Sequence, residues 1–500
     1  MVSKCYTVAF KGVHAIPVMV EVHFLPGLPK FTIVGLANKA VSESRDRIRA
    51  CFHAIGLDMP LKNVVVNLMP ADMQKEGSHY DLPIALGIFA AMDIIDSTEL
   101  ENYIALGELG LDGNVIHTTG VLSAALHAFE QSKKFICPYN NKSEATWVGE
   151  LSILPLKNIV ELIQHFNGKA IVAQPEPEKP RHINKSHKYD MRDVKGQSAA
   201  KRALEIAAAG KHNVLMIGPP GTGKSMLAKR ITSILPSLAP KEALETTMIY
   251  SIAGMLDKYG LVSDVPFREP HHSSSLVALV GGGQKTKPGE ISLAHNGVLF
   301  LDELPEFSRM AIESLRQPIE SGEIIVARAE NHVTYPSKFQ LVAAMNPCRC
   351  GYFGMPKKEC HRAPKCAGDY QNKISGPILD RFDIFIYMSN VKIKDLDDKK
   401  EESSQKIKER VLNAYYRQKD RGVMNSELDG EKLRNTVVLN DELKDFFMEA
   451  CEKLDISARR YNRILRVART IADLDAKEMI EKKHLLEAMS LRMYGVSNVI

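Results

Sequence analysis

The stretch Gly218-Pro219-Pro220-Gly221-Thr222-Gly223-Lys224-Ser225 limits what this chain can fold into more than any other segment. It fits G-x-x-x-x-G-K-[ST], a loop that works only between a buried strand and the start of a helix. Both neighbours are in place. Asn213-Val214-Leu215-Met216-Ile217 reads as a buried strand, and Met226 to Leu235 reads as a helix. The segment therefore calls for an α/β core. The glycines let backbone N–H groups turn inward around phosphates, and the helix N-terminus adds partial positive charge. Lys224 can reach the β- and γ-phosphates, and the Ser225 hydroxyl can bind Mg²⁺. Pro219, Pro220, Thr222 and Met226 complete the expected nucleotide contacts.

Five hundred residues suggest about three domains. The net charge of +5 permits nucleic-acid contact without demanding it. No apolar run is long enough to span a bilayer. The N-terminal Met1-Val2-Ser3-Lys4-Cys5-Tyr6 lacks the charged-then-apolar pattern of a secretory signal. The expectation is a cytoplasmic chain with no membrane partner and with reduced thiols.

The clearest boundary reads Gln174-Pro175-Glu176-Pro177-Glu178-Lys179-Pro180-Arg181, a mix of proline and charge suited to a linker. We divide the chain into an N-terminal α+β domain over 1–172, a linker over 173–190, a nucleotide-binding core over 191–392 and a helical domain over 393–500. Asn63 to Leu68 predicts a strand in the first domain, and Val41 to Ile55 and Val121 to Ser132 predict helices. In the last domain Ile464, Val467, Ala468 and Ile471 have helical apolar spacing.

Three segments of the core end in polar residues. Val298-Leu299-Phe300-Leu301-Asp302-Glu303 is an apolar strand ending in two acids. Ligands gather at such strand ends in parallel sheets. Asp302 is placed to hold Mg²⁺, and Glu303 to orient the attacking water. Lys338 to Pro347 is another core strand, and Asn346 at its end can bond the γ-phosphate or the water; alone, Asn-Pro is only a turn signal. Arg381 follows a short helical stretch and suits transferring phosphoryl charge, although a lone arginine is more commonly half of a surface ion pair.

This ordered set resembles AAA+ ATPases, and more narrowly the magnesium-chelatase-like ComM/YifB family. The resemblance is carried by Arg268-Glu269-Pro270-His271-His272-Ser273-Ser274-Ser275, by Pro288 to Glu303, and by Ala344-Met345-Asn346-Pro347-Cys348. It extends to Asn67-Leu68-Met69-Pro70-Ala71-Asp72 and to Arg466 through Leu474, so it covers nearly the whole chain. It implies ATP and Mg²⁺ as cofactors, with Gly218 to Ser225 as Walker A and Asp302 with Glu303 as Walker B. Asn346 would be sensor 1. Arg381 would be an arginine finger serving the neighbouring subunit, and Arg459, or Arg463 one turn on, would be sensor 2. A finger in trans implies a homo-oligomeric ring, and the resemblance implies that this ring is a hexamer that hydrolyses ATP while acting on DNA as a branch-migration helicase in natural transformation. Metal insertion, as by magnesium chelatase, and ATP-dependent proteolysis are the competing activities.

The resemblance also implies a Lon-protease-like fold for the first domain and a lid role for the last. At the positions of a Ser–Lys dyad this chain carries His79, with Ser78 adjacent, and Leu122, so the protease chemistry lacks its base. The insertion from Asp264 to Lys287 and the hairpin from Glu323 to Tyr335 would face the ring's pore, with Lys285, Lys287, Arg328 and His332 as backbone contacts to DNA.

Of the eight cysteines, Cys5, Cys51, Cys137 and Cys451 are scattered and read as small buried side chains. The other four, Cys348, Cys350, Cys360 and Cys366, crowd into an insertion over 348–366. Four thiolates suffice for a closed structural zinc site, with His361 as a substitute ligand; reduced cysteines without metal are the alternative.

Overall fold

The computed structural model describes residues 2–176, 189–256, 260–283, 286–327, 332–354, 361–391 and 401–497. Most of the expected linker, together with Lys285, Arg328 and Cys360, lies outside the described residues.

The N-terminal region is built on a seven-stranded mixed sheet. Its strands are β1 (Ser3–Lys11), β2 (His14–Leu25), β3 (Lys30–Val34), β4 (Asn63–Met69) and β5 (Tyr103–Ala105), followed after a small hairpin, β6 (Glu108–Leu109) and β7 (Val115–Ile116), by β8 (Lys134–Pro138) and β9 (Ile153–Leu156). Their order is β3-β4-β2-β1-β5-β8-β9. β2 runs antiparallel to both its neighbours, β1 and β4, and every other pair in the sheet, β3–β4, β1–β5, β5–β8 and β8–β9, is parallel. Helix Lys39–Ala54 starts where Asn38 accepts the Val41 N–H at 3.0 Å. The apolar helix Asp81–Ala91 is buried on nearly every side.

The core that holds the nucleotide motif is a five-stranded parallel sheet. Its strands are β10 (Val214–Ile217), β11 (Phe267–Arg268), β14 (Val298–Leu301), β17 (Gln340–Met345) and β18 (Ile384–Tyr387). The intervening β12 (Gly281–Gly282) pairs with β13 (Lys287–Pro288), and β15 (Glu323–Ala327) with β16 (His332–Pro336). The sheet order is β11-β14-β17-β10-β18, with β10 paired to both β17 and β18. Both faces are covered, so β10, β14 and β17 are buried throughout.

Two expectations change. The proposed insertion from Asp264 begins with a core strand, because Phe267 and Arg268 pair with Val298 and Leu299. The helix expected to run to Leu235 is α-helical only over Lys224–Arg230 and continues as a 3₁₀ turn over Ile231–Ser233. There the Ser233 hydroxyl donates to Arg230 O at 2.6 Å, competing with the helical ladder. The predicted hairpin over 323–335 is present as β15 and β16.

The C-terminal region is helical, with helices Ser404–Asp420, Gly430–Thr436, Asp441–Lys453, Ala458–Leu474 and Lys482–Ser497. Ile464, Val467, Ala468 and Ile471 share one apolar cluster with Val214, Met216, Val298 and Phe300. The N-terminal region is joined to the core as well. The Gly120 N–H donates to Ser251 Oγ at 3.0 Å, the Ser251 hydroxyl donates to the buried Glu144 carboxylate, and Val13 from the β1–β2 turn is buried among core side chains. Among the described residues no helix is long and apolar enough to cross a membrane.

Candidate functional site

The parallel sheet brings the predicted residues of three strands to one edge. β10 delivers the phosphate loop, β14 delivers Asp302 and Glu303, and β17 delivers Asn346. Gly221 and Gly223 adopt φ of +80° and +89°, the left-handed region that glycine enters at no steric cost. Lys224 opens the following helix and is buried. Its ammonium donates to Gly218 O at 2.7 Å, Pro219 O at 3.0 Å and Asn346 Oδ1 at 3.1 Å. Burial pulls its pKa below the ordinary lysine value, and the nearby Asp302 and Glu303 oppose that shift. Thr222 folds its hydroxyl back onto Pro219 O at 2.9 Å. Met226 is half exposed beside the loop.

Ser225 donates its hydroxyl to Asp302 Oδ2 at 2.5 Å. A hydroxyl and a carboxylate oxygen side by side next to the phosphate loop form a donor set suited to a hard dication such as Mg²⁺. Glu303 has φ +52°, a left-handed conformation that costs energy in a residue other than glycine. Its exposed carboxylate lies 3.4 Å from His272 Nδ1. His272 has no role in the sequence reading beyond its place in the family string. The contact spans thirty-odd residues and depends on β11 lying beside β14, so no local pattern announces it.

Arg381 sits at the other end of the sheet. Its carbonyl accepts from Asn213 Nδ2 at 3.1 Å, and Asn213 immediately precedes β10. A four-residue strand is about 13 Å long, so Arg381 and Lys224 lie at opposite edges of the same sheet. The Arg381 side chain is buried and pairs with the carboxylate of Glu320, whose side chain is exposed. An ion pair is thus present, with a buried arginine as one partner.

Arg459 and Arg463, the two alternatives for one role, both lie on helix Ala458–Leu474 and line a cleft of about 240 Å³ with Arg381, Glu320, Asp380 and Arg466. Arg459 is exposed. Arg463 is engaged with the fully buried Asp383. Burial works against ionisation of Asp383, but Arg463, His212 and Arg492 outweigh it and hold the carboxyl well below the usual carboxylate range.

Cys348, Cys350 and Cys366 come together with their sulfurs all within 4.8 Å, and the Phe353 N–H donates to Cys348 Sγ at 3.3 Å. His361 is exposed and does not join this group. The remaining cysteines of the described chain, Cys5, Cys51, Cys137 and Cys451, are buried as expected.

In the N-terminal region, Ser78 donates to the Glu108 carboxylate, and a ring nitrogen of the buried His79 lies 3.0 Å from Val8 O. Leu122 is fully buried, and its N–H donates to Glu144 at 2.9 Å.

Three family models match in sequence: magnesium chelatase subunit ChlI over 190–396, subunit ChlI of Mg-chelatase over 20–141, and the ChlI C-terminal model over 401–492. The chain is 43% identical over 494 residues to the competence protein ComM of Haemophilus influenzae, covering 97% of this chain and 96% of that one. It belongs to the ComM/YifB family of magnesium-chelatase-like AAA+ proteins. YifB of Escherichia coli is 42% identical over 493 residues, covering 98% of this chain and 97% of that protein. A 38 kDa magnesium-chelatase subunit of Cereibacter sphaeroides is 28% identical over 172 residues, or 31% of this chain and 51% of that one. The ComM/YifB likeness thus extends over the N-terminal sheet, the nucleotide core and the C-terminal helices together.

Proposed function

We propose that this chain is an ATP-hydrolysing motor that assembles into a ring, a hexamer by family analogy, and drives branch migration of DNA during integration of incoming strands. One observation carries the hydrolytic part. Lys224, Ser225, Asp302 and Asn346 meet at the ends of adjacent parallel strands, with Lys224 bonded to Asn346 and Ser225 to Asp302. Lys224 would exchange its loop carbonyls for phosphate oxygens, and Asn346 would hold the γ-phosphate or the water. Glu303 would align the attacking water. Mg²⁺, when bound, supplies charge that offsets the phosphates, and Ser225 and Asp302 would hold it.

Arg381 lies too far from its own phosphate loop to serve it, which supports action on a neighbour's ATP. Arg459 and Arg463 share its cleft and would approach the same nucleotide. The DNA part rests on the named relative, a competence protein, and on the two hairpins. Tyr335 of β16 donates its hydroxyl to Thr286 O at 2.7 Å, so the insertion and the second hairpin touch, and between them they carry the exposed Lys287 and His332.

Metal insertion is less well supported, because the likeness to the 38 kDa chelatase subunit of Cereibacter sphaeroides is 28% identity over 31% of this chain, against 43% over 97% for the competence protein. Proteolysis is disfavoured because Leu122 cannot take a proton and Ser78 is engaged by Glu108. We read the N-terminal domain, 1–172, as a Lon-like scaffold or DNA-binding module, the helices of 393–500 as a lid, and the cysteine cluster as a structural zinc site.

The test is ATP turnover measured with and without branched DNA over a salt series. DNA binding that weakens steeply with salt and stimulates hydrolysis supports the proposal. Absence of DNA binding at low salt contradicts it.

A further inference from the structure

The cysteine cluster is not a remote appendage. Cys348 lies two residues beyond Asn346, and the turn that follows is closed by the Gly351 N–H donating to Cys348 O at 2.9 Å. That turn presses Gly351 against the phosphate loop. A Cβ placed on Gly351 would lie 2.5 Å from Cδ and 2.7 Å from Cγ of Pro220, and Gly351 itself has φ +83°. Only glycine allows this approach.

The third thiol, Cys366, is carried by helix Lys365–Gln371. At the far end of that helix, Gln371 Nε2 donates to Pro347 O at 2.7 Å. Pro347 directly follows Asn346, whose Oδ1 accepts from Lys224. A bond between Cys366 and the Cys348–Cys350 turn would therefore fix the helix, the end of β17 and the phosphate loop against one another.

The sulfurs are disposed for such a bond. With metal–sulfur distances near 2.3 Å, tetrahedral ligands sit about 3.8 Å apart. Cys348 and Cys350 have their sulfurs 3.1 Å apart, and all three sulfurs fall within 4.8 Å, so closing on a metal needs shifts below about 1 Å. The Phe353 N–H donates to Cys348 Sγ and fixes where that sulfur points.

We propose that Cys348, Cys350 and Cys366 bind a divalent metal of the zinc class whose occupancy holds Pro220 and Asn346 in place, so that nucleotide affinity depends on the metal. This rests on reading Gly218 to Ser225 as an ATP site, and it adds a regulator of that site.

The experiment uses untagged full-length protein in reductant. Zinc per chain is measured by atomic emission, and affinity by titration with a fluorescent ATP analogue. The chains compared are wild type, Cys350→Ser, Cys366→Ser and Gly351→Ala, with melting curves for each. Wild type is expected to hold close to one equivalent of zinc. The cysteine variants should lose zinc and bind the analogue at least about tenfold more weakly, while still melting cooperatively. Gly351→Ala should keep its zinc, because it removes no thiol, and should bind more weakly, because its Cβ meets Pro220 and its backbone at φ +83° is strained. Zinc below about half an equivalent in wild type overturns the proposal. So does unchanged affinity in the zinc-free variants, or in Gly351→Ala. Absence of DNA-stimulated hydrolysis in a wild type that holds zinc and binds nucleotide would contradict the motor function alone.

Discussion

Arg381→Ala is the perturbation whose size follows most directly from the structure. Arg381 is anchored at the edge where β10 begins, whereas Lys224 lies beyond the edge where β10 ends, about 13 Å away along the strand. The side chain therefore serves a different chain's phosphates or none. Arginine fingers contribute about 10³–10⁵ in kcat, equivalent to about 4–7 kcal/mol of transition-state stabilisation. Glu320, which loses its partner, is solvent-exposed and can rehydrate, so folding should suffer little beside that loss. Arg381→Ala alone and Lys224→Ala alone should both be nearly inactive, the first still binding ATP. Mixed at equal concentration and reassembled, they form sites in which an intact phosphate loop faces an intact arginine. Random assembly makes about one site in four of this kind, so turnover should climb from about 0.1% toward about 25% of wild type. The assay is steady-state phosphate release from mixtures whose co-assembly is verified by crosslinking. A co-assembled mixture no more active than the two variants measured separately would refute action in trans.

Three further outcomes are expected. Glu303→Gln should retain ATP binding and lower kcat by at least about 10²-fold; normal hydrolysis would remove Glu303 from the water-positioning role. His272→Ala should lower kcat with little change in KM, and His272→Asn, which keeps a donor, should recover part of the loss. Equal loss in both would mean that the contact with Glu303 is not what matters. Arg463→Ala should destabilise the fold by about 3–5 kcal/mol, because it leaves Asp383 buried with less compensation. Arg459→Ala should leave the melting temperature within a few degrees of wild type. The Asp383 carboxyl is held low by its cationic partners. Its contribution to stability is therefore present above the ordinary carboxylate range and is lost as pH falls below about 4, which acid titration of wild type against Arg463→Ala would register.

The chemistry of the phosphate loop was readable because spacing alone places it. Gly221, Gly223, Lys224 and Ser225 act within one turn of chain, and the buried strands before Asp302 and Asn346 advertise themselves as apolar runs. The hairpin over 323–335 was expected only from the family resemblance, and its strands pair as β15 and β16. What stayed hidden depends on pairing across the fold. β11 is two residues long and is a strand only because β14 lies beside it. That pairing in turn places His272 against Glu303. The Arg381–Glu320 pair joins residues 61 apart in sequence. The tie of Cys366 to the phosphate loop passes through Gly351, Gln371 and Pro347, none of which is conspicuous in sequence. The 3₁₀ turn at Ile231–Ser233 reflects a serine whose hydroxyl also meets Ser404 Oγ at 2.7 Å, a partner 171 residues away.

The central claim is that ATP hydrolysis at Lys224 and Glu303 moves DNA strands. It is tested most directly by strand exchange in a labelled three-stranded junction, followed on a native gel with ATP, with a non-hydrolysable analogue, and with Glu303→Gln. The account predicts that wild type with ATP resolves the junction, that neither the analogue nor Glu303→Gln does so, and that all three combinations still bind the DNA. Junction movement at the same rate without hydrolysis, or none from a wild type that hydrolyses ATP and binds the junction, would contradict it.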